Sequence, residues 1–284
     1  MPPAPTITSA VELIPPDLDV VVRLDLARVK AVLGATALTA LSRQVLAHDR
    51  GGAEPDELVV ASLLAAEQVY LGYRPSPLGA PLDRVLALQG HFEPLARALT
   101  GFSSATDVGR DLRYWDRSAA PTSRGGVARV YAWGDRVRAF VSEAELDAVE
   151  RTLSGLGAER RLEPPEEGTL SLAARPRLLG RLAGQGALRE LLEDAKALRA
   201  VADLESDGVR LELELLLSGA EQARRLASAG TQVLARAMGD AALDVTLGAE
   251  SDRVVLSARL TRAQLAPLLA CVGGGAASAL ACPW

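Results

Sequence analysis

A polar turn, an alternating strand and a helix start recur four times along this chain, and that recurrence limits the fold more than any other feature of the sequence. The clearest copy begins at Asp252-Arg253-Val254, alternates through Leu260 and runs into Thr261-Arg262-Ala263-Gln264-Leu265. The same order appears at Asp83-Arg84-Val85, which passes Gly90 into Glu93 to Leu99, and at Asp135-Arg136-Val137, which passes Ser142 into Glu143 to Leu153. A looser copy opens at Asp207-Gly208-Val209, continues to Leu217 and starts a helix at Ser218. Period-two alternation puts one face of each strand inside, and that face needs a covering layer. An α+β fold with antiparallel sheets is the expected result.

Taken in order, the elements repeat as a list. Leu18 to Leu26 alternates as a strand, with Asp25 placed to cap a helix over Ala27 to Ala47 whose stripe is Val29, Val32, Leu33, Leu38, Leu41 and Val45. A second helix is expected over Asp56 to Ala66, strands over Gln68 to Arg74 and Arg84 to Gln89, and a short helix over Glu93 to Leu99. Ser103 to Gly126 is irregular, with a possible strand at Leu112 to Trp115. Gly134-Asp135 joins Val127 to Trp133 and Arg136 to Val141 as a hairpin, and Glu143 to Leu153 closes the half as a helix. The second half reads as a strand at Thr169 to Ala174, then helices at Pro176 to Ala183 and Ala187 to Leu198. A hairpin about Ser206-Asp207-Gly208, the long helix Glu221 to Met238, a hairpin of Leu243 to Ala249 with Arg253 to Leu260, and a helix at Gln264 to Cys271 complete it. The expectation is a tandem duplication of a β-α-β-β-α-β-β-α unit, each sheet covered on one face by helices. Two different α+β units sharing hairpin grammar are the alternative. The boundaries follow: an extended lead-in at 1–16, a first domain at 17–155, a linker at 156–167, a second domain at 168–272 and a Gly-rich tail at 273–284.

At 284 residues the chain has room for two cores of ordinary size. Its net charge of -5, with both signs interspersed, argues against nucleic acid or an anionic membrane as partner, since both demand concentrated basic charge. Lys30 and Lys196 are the only lysines, and the arginine excess reads as codon bias. No stretch approaches the length of a transmembrane helix. The opening Met1-Pro2-Pro3-Ala4-Pro5 lacks the blocks of a signal peptide, so a cytoplasmic protein and an exported one with its signal absent from this chain both fit, the second being preferred.

Motifs for chemistry are sparse. His48 and His91 are the only histidines, and neither lies in a nucleophile motif. Gly273-Gly274-Gly275 follows a helix rather than a strand and Gly184-Gln185-Gly186 lies between helices, so no phosphate loop is present. Cys271 and Cys282 do not make a zinc set, and an exported protein would join them as a disulfide. No metal, nucleotide or other cofactor is expected. Asp111, Tyr114, Trp115 and Asp116 offer either a binding surface or a buried aromatic cluster. The remaining candidates are outward charges on the strands: Arg23 on the first, Arg210, Glu212 and Glu214 on a middle strand, and Arg253 and Arg259 on the last. A solvated face explains them, and so does a partner-binding one.

The opening Leu13-Ile14-Pro15-Pro16-Asp17-Leu18-Asp19, with Val20 to Val22, Arg23, Asp25, Leu26 and Arg28 and the later turn-strand-helix unit, resembles exported or lipoprotein-type α+β proteins of high-GC bacteria. The resemblance implies an envelope location and carries no activity and no functional residues. The expected function is a non-enzymatic binding or structural protein, placed in the cell envelope by the resemblance, that takes a protein or small ligand on a wet sheet face or in a groove between domains. The alternative is a hydrolase with dispersed acid-base residues that include His91.

Overall fold

Alternation at the first strand and an aspartate after it produce the expected local structure. Strand β1 (Val20–Asp25) leads directly into helix α1 (Leu26–Leu33), and the Asp25 carboxylate accepts a hydrogen bond from the Arg28 N–H at 3.0 Å. That capping satisfies one of the helix's orphan donors and is worth about 1 kcal/mol. Gly34, with φ +80°, ends the helix. The computed structural model describes residues 7–34, 36, 38–39, 57–74, 83–97, 99–109, 111–119, 126–155, 161–175, 195–238 and 244–261. It divides into two compact units, Met1–Glu163 and Pro164–Trp284.

The first unit adds helix α2 (Glu57–Ala65), strands β2 (Ala66–Tyr73), β3 (Arg84–Gly90), β4 (Thr106–Gly109), β5 (Leu112–Asp116), β6 (Val127–Trp133) and β7 (Val137–Ser142), and helix α3 (Leu146–Leu153). Its strands lie in the order β1-β2-β3-β7-β6-β5-β4, every pair antiparallel. Gly134 takes φ +51° in the β6–β7 turn, the conformation that its short hairpin requires.

Several expectations fail in this unit. The sheet is not covered on one face but on both. Ala10, Leu13 and Ile14 from the lead-in, Leu18 just ahead of β1 and Val149 from α3 bury one face, with Val21, Val85, Ala139 and Val141. Leu26 and Val29 from α1 and Val59 from α2 bury the other, with Val69, Leu88, Val130 and Phe140. Residues 7–16, the described part of the lead-in, are therefore a covering layer with a 3-10 turn at Ala10–Leu13, not an extended tether. Burying each such side chain contributes about 1.5 to 3 kcal/mol, so a Pro-rich segment with only a few apolar positions can still be an integral part of the core.

Helix Glu93 to Leu99 is also absent among the described residues. Pro94 supplies no N–H, and the backbone of this segment is taken by tertiary partners. Phe92 N–H donates to the Asp135 carbonyl at 2.8 Å, Arg138 donates to the Glu93 carbonyl, and the Arg97 carbonyl accepts from Ala105 N–H and the Trp115 indole. In the region read as irregular, the strand expected at Leu112 to Trp115 is present as β5, and it forms a hairpin with β4, with Asp111 at φ 63°. Finally, Val29 and Leu38 are buried, but Val32 and Leu33 of the expected helical stripe are exposed, because Gly34 ends α1 before a long stripe can form. Leu41, Val45 and His48 lie outside the described residues.

The second unit holds β8 (Leu170–Ala174), β9 (Ala197–Leu204), β10 (Gly208–Leu216), α4 (Ala220–Met238), β11 (Asp244–Glu250) and β12 (Arg253–Thr261), with strand order β8-β9-β10-β12-β11, again antiparallel throughout. The expected helix ending at Leu198 is corrected at its end, since Ala197 and Leu198 belong to β9. Ala223, Leu226 and Ala227 of α4 pack on Leu215, Leu217 and Val254, so this helix covers one sheet face. Residues 176–194 and 262–284, with the expected helices there, both glycine runs, Cys271 and Cys282, lie outside the described residues.

Docking of the lead-in gives the first prediction. A Cβ on Gly72 of β2 would lie 2.5 Å from Leu18 Cδ1 and 2.8 Å from Ile14 Cγ2. Gly72→Leu should therefore cost about 1 to 3 kcal/mol through overpacking, and should open residues 7–19 to protease. Unchanged denaturant stability and protection of that segment would show that the lead-in does not depend on this contact.

Candidate functional site

Strand register in the second unit gathers charges that are distant in sequence. Asp203, Arg210, Arg259 and Asp244 form one row across β9, β10, β12 and β11, while Glu212, Ser257 and Thr246 form the next. Arg199, Glu214, Val255 and Gly248 follow, and then Arg253 beside Glu250. These residues share one face because side chains two apart point the same way. The opposite face carries Val209, Leu211, Leu213 and Leu215 with Leu260, Ala258, Leu256 and Val254, and α4 packs on part of it.

The charged face is open and internally paired. Arg210 reaches Asp203 at 3.2 Å, Arg253 reaches Glu214 at 2.8 Å, and Arg259 reaches Glu205 at 3.0 Å and Asp207 at 3.4 Å. Arg210, Glu212, Arg253 and Arg259 are exposed, and Glu214 is half-buried. Water screens such pairs, so each contributes only about 0 to 1 kcal/mol. A Cβ added at Gly248 would meet nothing within 4 Å, which marks open space above that row. Five of the six strand candidates therefore lie together.

Arg23 does not join them. It belongs to the first unit, where it is buried beside Tyr70 in the register of β1 and β2, with Asp25 at 3.8 Å. The outward orientation expected for it is corrected: Arg23 is buried, on the face where Val21 packs with Leu13, Ile14 and Leu18 and that alternation alone would have left wet. His91 stands at the surface, its Nδ1 3.2 Å from Glu67 Oε1, with the two side chains 61% and 56% exposed. Of Asp111, Tyr114, Trp115 and Asp116, only Trp115 is buried, 1% exposed with its indole N–H donating to the Arg97 carbonyl at 3.2 Å, while Tyr114 and Asp116 are half-buried and Asp111 is exposed.

Two polar clusters in the first unit were not found from sequence. Arg129 donates to Asp116 and Glu150, each at 2.5 Å, and lies over the Tyr114 ring at 4.3 Å, so its guanidinium is held well above its ordinary proton affinity despite partial burial. Glu145 is enclosed and receives two hydrogen bonds from Arg74, at 2.9 and 3.2 Å. Burial pushes its carboxyl up, against the pull of Arg74. The first joins a cross-strand pair of β5 and β6 to α3, and the second joins the chain after β2 to the turn before α3, approaches that no local pattern records. By contrast, Asp203 opposite Arg210 follows from the Ser206-Asp207-Gly208 turn once β9 and β10 are laid against each other.

Among the described residues no group of three or more His, Cys, Asp or Glu side chains could hold a metal ion, and no helix is long and apolar enough to cross a membrane. No family model and no curated protein matches the chain. Solved structures of TP0453 share its fold. Crystal form I aligns with TM-score 0.57 and 14% identity over 93% of this chain and 97% of that one. Crystal form III aligns with TM-score 0.54 and 14% identity over 93% and 98%.

Proposed function

We propose that this chain is a non-enzymatic binding protein and that the charged sheet face of its second unit is the contact surface. The observation that carries the reading is the convergence of Arg210, Glu212, Glu214, Arg253 and Arg259 on one open face, whereas both faces of the first unit's sheet are occupied by apolar clusters. Interleaved charges of both signs suit recognition of a complementary protein surface, where they set orientation and partner choice more than affinity. The hydrolase alternative has less to draw on. His91 and Glu67 form an exposed pair, and exposed pairs lack the enclosure that tunes an acid-base catalyst.

The strand orders β1-β2-β3-β7-β6 and β8-β9-β10-β12-β11 correspond position by position, which supports descent of the two units from one by tandem duplication. On that reading the β4–β5 hairpin and α4 are different insertions at the same point of the fold. An envelope setting belongs to the same proposal and rests on the sequence resemblance alone.

The test uses three proteins. Arg210→Gln with Arg259→Gln should keep the fold, since outward charges support little packing, and should weaken retention of a native partner about tenfold. His91→Ala should change neither property. Partner retention is read by pull-down from the native source, and hydrolysis of ester, phosphoester and glycoside substrates is screened in parallel. Turnover lost only in the His91 variant would reject the binding reading in favour of the enzyme.

A further inference from the structure

We propose that the outer edge of β11 is a docking strand for an extended segment of another protein with a basic residue at each end, which would join the second unit's sheet as an added strand. Its basis is the edge rather than the charged face, so it stands or falls separately from the preceding reading.

Backbone direction comes first. Leu217 N–H donates to the Asp252 carbonyl at 2.8 Å, and Leu217 opposite Asp252 continues the β10–β12 register. Antiparallel hydrogen-bonded pairs occur at every second residue, so Val254, Leu256, Ala258 and Leu260 direct their backbone groups to β10. Arg253, Val255, Ser257 and Arg259 then direct theirs to β11, where they meet Glu250, Gly248, Thr246 and Asp244. What remains on β11 is Val245, Leu247 and Ala249, whose N–H and C=O groups point away from β12. Among the described residues β12 is the sole strand neighbour of β11.

Natural edges are blunted by charged side chains, above all lysine, and by proline, a bulge or a very short strand. β11 carries charge only at its two ends: it is seven residues long, Asp-Val-Thr-Leu-Gly-Ala-Glu, without lysine or proline, and its register with β12 is unbroken. Strand addition at such an edge draws affinity from main-chain hydrogen bonds and specificity from alternate side chains.

Charge decides the occupant. Asp244 and Glu250, at the two ends, are exposed and make no ion pair among the described residues. The arginines opposite them are engaged elsewhere, Arg259 with Glu205 and Asp207 and Arg253 with Glu214. Antiparallel pairing with a second copy centred on Leu247 would set Asp244 against Glu250 twice, and like charges directly opposite are destabilising. A foreign strand with Lys or Arg at both ends reverses that sign. An acid at each end also makes the two strand directions equivalent. Apolar residues between the basic ends would continue the face formed by Val245, Leu247 and Ala249.

The probe is the peptide Lys-Val-Thr-Val-Thr-Val-Lys, titrated against the full chain beside a twin with Glu at both ends. The Lys-ended peptide should bind at least about tenfold more tightly. Val245→Pro removes an outward N–H without touching the β11–β12 ladder, which edge strands tolerate, and should weaken binding about tenfold or more. Asp244→Asn with Glu250→Gln, which leaves the backbone untouched, should bring the two peptides to within about threefold. Equal binding of both peptides, binding of neither, or full binding by folded Val245→Pro protein would overturn the proposal. So would a dimer in sedimentation that Val245→Pro dissociates, since the edge would then belong to a second copy.

Discussion

Arg74→Ala is expected to destabilise the first unit by about 3 to 5 kcal/mol, and Glu145→Ala by less, about 1 to 3 kcal/mol. The asymmetry follows from what each truncation leaves behind. Arg74 donates through Nε and Nη2 to the two carboxylate oxygens of Glu145, through Nη1 to the Asp17 carbonyl at 2.9 Å, and its Nη2 lies 2.9 Å from Asp17 Oδ2. Without Glu145 the guanidinium keeps Asp17 and, being over a third exposed, keeps water as well. Without Arg74, an almost fully enclosed carboxylate loses its counter-charge and both hydrogen bonds. It then has to be neutralised or hydrated at the expense of packing around the start of α3.

The same cluster has a pH signature. Desolvation raises the Glu145 carboxyl above its ordinary range, Arg74 pulls it down, and the charges of Asp17 and Asp83 add to the rise. A carboxyl raised in the folded state binds its proton more tightly there than in the unfolded chain. Its contribution is complete below the unfolded pKa of about 4.3 and is lost as pH climbs through the raised folded value. Wild type should therefore lose stability relative to Glu145→Gln as pH rises from about 4. Urea denaturation of both proteins across that range measures it, and a difference that stays flat or grows in favour of wild type would show that Arg74, not burial, sets the titration.

Much of the architecture is local information, and where it is local the sequence reveals it. Asp25 ahead of α1, the Gly134-Asp135 turn and the alternation of β10 and β12 each place their element through a side-chain cap, a φ preference or a period. The α+β class and the antiparallel sheets follow from those pieces. The charged face follows too, because two alternating strands joined by a short turn must align their polar residues. What alternation cannot state is whether a polar-looking face stays wet. Arg23 sits among valines in β1 and is nonetheless buried, on the strand face it shares with Val21, which packs with Leu13, Ile14 and Leu18, a packing set by the path of the chain ahead of β1. Glu93 to Leu99 has a helix-compatible composition, but Arg138 and Trp115 take its carbonyls from strands that come later in the chain. Tertiary hydrogen bonds there outweigh a propensity of a few tenths of a kcal/mol per residue.

The weight of those late contacts can be measured at Trp115. Its side chain is enclosed between β5 and the segment before β4, opposite Val130 in the β5–β6 register, and its indole donates to the Arg97 carbonyl. Trp115→Ala should cost about 3 to 5 kcal/mol, the range for deleting a buried aromatic whose surroundings relax only partly. Trp115→Phe keeps most of the apolar volume and removes only the N–H. The Arg97 carbonyl still accepts from Ala105 N–H at 2.9 Å, so that variant should lose about 1 kcal/mol. In the alanine protein, residues 91–105 should become the earliest site of proteolysis, because Ser103 N–H, bonded to the Asp116 carbonyl at 2.7 Å, depends on β5 staying in place. Guanidinium denaturation of the three proteins separates the outcomes. Equal losses in the Phe and Ala variants would assign the anchor to the hydrogen bond instead of the packing. A loss below about 1 kcal/mol in Trp115→Ala would place the ring outside the core, and would return Tyr114 and Trp115 to consideration as a binding surface.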